Sequence, residues 1–192
     1  MFRNHGGSTW SSKAAIFVVA GVSAGVGLGL LLGGLGQHVV TDARAAAAAV
    51  LGLVAVAVGG LELSGRRLRL LQCNRETPQS WVSLGAWKWA ITNGASLGCG
   101  AASRLGFWSW YLVPLAAFGV GDPLAGAAIY GTYGGVRTLA PLGLVVAHRA
   151  LGAEHDFHYR AQWLLRHHAA ARRVSGVHLV AVGVFVALVT GP

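Results

Sequence analysis

The chain has 192 residues, of which 54% are hydrophobic and 11% charged, with a mean hydropathy of +0.56. A soluble domain carries roughly 25% charged residues, so this chain lacks the polar atoms to cover itself in water; its apolar content excludes disorder, and its 29 glycines follow no Gly-X-Y period, which excludes collagen. Fifteen Lys and Arg stand against six Asp and Glu, but eleven of the fifteen flank apolar runs, which orients membrane proteins and does not build a nucleic-acid groove, so no nucleic acid is expected.

The expected fold class is all-α and integral to a membrane: one domain over residues 1–192, a bundle of about five transmembrane helices. Arg3 and Lys13 precede the first apolar run, about Ala14–Gly36. That run exceeds the roughly 7–15 residues of a signal-peptide core, so an uncleaved first helix is expected. Gly21, Gly25, Gly29 and Gly33 recur on one face of it. Lipid gives helices no hydrophobic reason to associate, so small residues that let backbones approach must do so. This face has two readings: packing inside the bundle, or a homodimer or membrane-protein partner.

The second run, about Ala45–Leu63, is free of charge until Glu62. The third, about Ala86–Phe118, has 33 residues, which as one helix would extend roughly 50 Å against a hydrocarbon core of about 30 Å. Its middle, Asn93–Gly106, is rich in Gly, Ala and Ser, so a broken crossing is expected, with Trp81, Trp87, Lys88 and Trp89 as interfacial anchors. The fourth run is about Leu124–His148 and carries Gly126, Gly131, Gly134 and Gly135; the fifth is about Val174–Thr190. Between these two, Ala161–Arg173 sets Trp163, Leu164 and Leu165 among arginines and histidines, which reads as a helix lying on an anionic membrane surface.

Orientation follows from the basic residues. Arg3 and Lys13, then Arg66, Arg67, Arg69 and Arg75, then Arg149, Arg160, Arg166, Arg172 and Arg173 all fall on one side if the third segment crosses once, and the opposite loops hold Arg44. A multi-pass protein of the cell membrane is expected, with its N-terminus in the cytoplasm and its C-terminus outside.

Three stretches carry a family resemblance. Gly25–Gly36 with Gln37, His38 and the Ala45–Leu63 helix is the first; Gly94–Phe107 is the second; Gly126–Pro141, containing Tyr130-Gly-Thr-Tyr133, is the third. Together they resemble the CcdA/DsbD family of transmembrane thiol-electron conduits. The resemblance implies a polytopic helical fold whose broken helix lies at Gly94–Phe107. The family's first helix, with its cysteine, has no counterpart, and Ser103-Arg104-Leu105 stands where the second Pro-Cys pair would be. Disulfide exchange needs a second sulfur to resolve the mixed disulfide, and Cys99 has none at its depth.

Arg104 and Arg137 are the candidate binding residues, each near the midpoint of its apolar run. An intramembrane arginine is costly and usually faces a bundle interior or a wet cavity. Glu62 and Asp122 lie at the ends of their segments, so neither arginine has a depth-matched carboxylate. Tyr130 and Tyr133 precede Arg137 by seven and four residues and share its face. The site either caps loosened carbonyls or binds an anionic solute.

His148, His155, His158, His167 and His168 cluster, but only Glu154 and Asp156 are near enough to orient imidazole ligands, so no metal is expected. Cys73, between Arg69 and Arg75, is a modifiable thiol or an incidental one. No Walker A, GxSxG or HExxH motif is present, so neither catalytic residues nor cofactors are assigned. Three functions remain: a transporter-like protein moving a small anionic or polar solute, a non-catalytic membrane subunit or scaffold, and a degenerate thiol-electron conduit.

Overall fold

The computed structural model describes residues 7–65, 83, 85–100, 108–150 and 157–190. They form α1 (Gly7–Val40), α2 (Arg44–Leu63), α3 (Ala86–Cys99), α4 (Leu112–Gly119), α5 (Pro123–Ala150) and α6 (Phe157–Thr190), with 3₁₀ turns at Thr41–Ala43 and Trp108–Tyr111. Among the described residues there is no strand. Three stretches are long and apolar enough to cross a membrane: Trp10–Val40, Arg44–Leu63 and His167–Val186.

The expected break in the third segment is present. Gly100 takes a φ of 72°, and its N–H reaches back to the Ser96 and Leu97 carbonyls, each at 3.1 Å, closing α3 with a left-handed cap. Helical structure returns at Trp108 and continues through α4. The next turn is set by Asp122, whose Oδ1 accepts the Ala125 N–H at 2.7 Å, while Pro123 opens α5 where a missing N–H is harmless.

One expectation is corrected. The sequence reading separates a surface helix, Ala161–Arg173, from a final crossing at Val174; the structure runs both as the single helix α6. No Gly or Pro occurs between Phe157 and Ser175, so nothing local interrupts the backbone ladder.

α1 is the hub, contacting α5, α3 and α4. Its glycine face is filled within the chain: a Cβ on Gly25 would strike the Tyr130 carbonyl, one on Gly29 the Gly126 carbonyl, and one on Gly33 the Asp122 carbonyl. Those partners run backwards along α5, so α5 is antiparallel to α1. Gly94 meets Phe17 and Gly98 meets Gly21, so α3 is parallel to α1, and Phe118 of α4 arrives beside Gly36. The described parts of the third segment, α3 and α4, therefore lie beside α1 in the same order as the residues of α1 they meet. At its start, the Phe17 and Trp89 rings stack with centroids 6.3 Å apart, and Lys13 lies over the Trp87 ring.

α2 and α6 form a second antiparallel pair. Their backbones approach at Gly59 against Gly176 and at Gly183 against Gly52. Beside that crossing, the Glu62 carboxylate, 1% exposed, accepts the Arg172 Nε–H at 2.7 Å. Leu51 of α2 contacts Gly119 of α4, which ties this pair to the α1 group.

Small residues hold the interior and large aliphatic ones face outward. Ala90, Ala117, Ala127 and Ala55 are buried, whereas Leu124 is 76% and Leu188 77% exposed. Water would impose the reverse arrangement.

Candidate functional site

α5 carries the side chains. Its axis is fixed by the Asp122 cap at one end and by backbone contact with α1 along its middle, where a Cβ on Gly134 would meet the Gly21 carbonyl. Thr138, 0% exposed, returns its hydroxyl to the Gly134 carbonyl at 2.8 Å, so it adds bulk against α1 without leaving a polar atom unbonded.

Tyr130, Tyr133 and Arg137 are brought together, as their helical spacing predicts. Tyr130 is 1% exposed and meets Tyr133 edge to face, with centroids 5.7 Å apart and planes at 78°. Arg137 is half-buried; its Nη1–H donates to the Tyr133 hydroxyl at 2.6 Å, and its Cζ lies 5.6 Å from the same ring. Tyr133 therefore takes the cation through both its oxygen and its π face. Among the described residues no carboxylate pairs with Arg137. Arg104, the other candidate, lies outside the described residues, as do Cys73 and His155.

Two features of this site escaped the sequence reading. The first is Trp110, in the 3₁₀ turn before α4. Its indole lies close to the Tyr133 hydroxyl, and its buried Nε1–H meets no other hydrogen-bond partner among the described residues. Buried indole N–H groups ordinarily find an acceptor, and the Tyr133 side chain is the polar group beside this one. Gly100 permits the approach, since a Cβ there would run into Trp110 Nε1. The signal was the aromatic run Trp108–Tyr111 directly after the expected break.

The second is Pro141, inside α5. It has no N–H to give to the Arg137 carbonyl four residues earlier, so the residue whose guanidinium meets no described carboxylate also has a carbonyl released from the helix ladder. Simple counting along the helix would have found it. Pro141 also walls a small cavity of about 180 Å³ between α1, α3 and α5, together with Phe17, Trp89 and Asn93.

Cys99 stands on α3 facing α1, its Sγ 3.9 Å from the Ala24 carbonyl, and no disulfide includes it. The site thus gathers donors (guanidinium, phenol and indole) without a protein anion. Such a set can hold an anion or a polar solute rich in acceptors. Comparison with protein-family models, with curated proteins and with solved structures finds no match to this chain.

Proposed function

We propose that this protein crosses the cell membrane five times, N-terminus in the cytoplasm and C-terminus outside, and moves a small anionic or polar solute past Arg137. The antiparallel run of α5 beside α1, the parallel run of α3, and the antiparallel pairing of α2 with α6 support five crossings. The outward-facing aliphatic surface and the three apolar stretches support the membrane itself. The observation that carries the solute reading is Arg137: a half-buried cation in the middle of α5, bonded to a neutral phenol and to no carboxylate among the described residues. Lipid would drive an idle charge to the surface or into pairing, and a visiting anion supplies what the fold does not.

The test is accessibility joined to substitution. In a Cys73→Ser, Cys99→Ser background, single cysteines at positions 104, 133 and 137 are expected to react with a membrane-impermeant thiol reagent. Arg137→Leu is expected to insert normally, since loss of an intramembrane charge eases insertion, and to lose stabilisation by the small anions that raise the melting point of the parent. Arg137→Lys is expected to restore part of that stabilisation, because an ammonium lacks the planar fork. Three unreactive positions together with an unaffected Arg137→Leu variant would favour the subunit reading. The outer face of α6 is the observation behind that second reading: Val174, Val177, Phe185 and Leu188 are all exposed on it.

A further inference from the structure

A second cavity, about 420 Å³, lies on the seam where the α2–α6 pair meets α4 and α5. Its walls include Ala48 and Ala55 of α2, Ala116 and Gly119 of α4, and Val182 and Gly183 of α6, and every residue lining it is apolar. Close approach at Gly52–Gly183 joins the two helices through backbone, and the small side chains beside it cannot fill the gap to α4. From Ala48 to Ala55 the slot runs roughly 10 Å along α2. Water gains nothing in such a place, because it would find no polar partner.

The shape selects the occupant. The slot is about 10 Å long and its walls offer no polar partner, so it suits a flexible apolar chain from the surrounding lipid. A single hydrocarbon chain is slender enough. Charge selects its head group. Arg44 stands one turn before Ala48 on the same face of α2, exposed, and it forms no ion pair with Asp42 or any other described acid. In the orientation proposed above it is the one basic residue in the outer loops.

We propose that this slot holds one acyl chain of an anionic phospholipid, with the lipid phosphate against Arg44. The lipid wedges the α2–α6 pair against α4 by filling the seam that their small residues leave open. This inference rests on the membrane reading and is independent of the solute reading at Arg137.

The test uses the full chain, extracted from membranes in mild non-ionic detergent and weighed by native mass spectrometry with phosphatidylglycerol or phosphatidylcholine of identical acyl chains. One phosphatidylglycerol is expected to be retained, with a roughly fivefold preference over phosphatidylcholine, the size one arginine provides at a membrane surface. Arg44→Gln should bring the two lipids level. Ala116→Phe and, at the half-buried rim, Ala48→Phe should abolish retention of both; should Ala116→Phe not fold, the other two variants carry the test. Equal retention of both lipids by the parent, or lipid held undiminished by Ala48→Phe, overturns the site. A chain recovered without detergent in the soluble fraction overturns the membrane reading and the site together.

Discussion

Glu62 and Arg172, 110 residues apart in the chain, meet in a 2.7 Å ion pair that closes α2 against α6 one turn from the Gly59–Gly176 crossing. A buried pair is strongly destabilising to break one-sidedly, because the survivor keeps its charge without its partner. Glu62→Ala is therefore expected to cost about 3 kcal/mol, read as a lowered melting temperature of the detergent-purified protein. The double variant Glu62→Leu, Arg172→Leu should regain most of that loss, since two apolar residues leave no orphan. A double variant as unstable as Glu62→Ala would show that the pair is not what stabilises this contact.

Two glycines near the middle of α1 offer a matched comparison. A Cβ on Gly29 would collide with the Gly126 carbonyl, a backbone atom that cannot swing aside, whereas one on Gly27 would meet nothing within 4 Å. Gly29→Ala should destabilise by about 1–3 kcal/mol, the range for overpacking. Gly27→Ala should be neutral or stabilising. Thermal melts of the two variants side by side check the α1–α5 register, and equal melts would displace it.

Topology has its own test. Reporter fusions after Arg44, Arg75, Asp122, Glu154 and Pro192 are expected to alternate between outside and cytoplasm, starting outside. A cytoplasmic signal at Pro192 would reject five crossings, whatever the other fusions report.

Thiol chemistry is expected to play no part. Cys99 Sγ has the Ala24 carbonyl at 3.9 Å as its polar neighbour, and a mixed disulfide there has no second sulfur of its own segment to resolve it. The Cys73→Ser, Cys99→Ser variant should insert, purify and melt as the parent does, and the parent's melting point should not move with dithiothreitol. A shift on reduction that disappears in the double variant would bring the redox reading back.

What the sequence determined is what depends on neighbours along the chain. Hydropathy and length placed the α1, α2 and α5 runs within a few residues, apart from the longer N-terminal part of α1. The Gly-, Ala- and Ser-rich stretch Asn93–Gly106 announced a break without locating it, and the structure keeps its first half helical and ends α3 at Cys99. Tyr133 and Arg137 were paired by a four-residue spacing. The tertiary structure alone decided the rest, because it depends on which segments come to lie side by side. Nothing near Glu62 or Arg172 in the sequence points to the other. The glycines of α1 read equally well as an inner or an outer face until α5 is laid against them. Trp110 became part of the site only when the turn before α4 folded back over Gly100, bringing an indole to a tyrosine that the chain had placed 23 residues away.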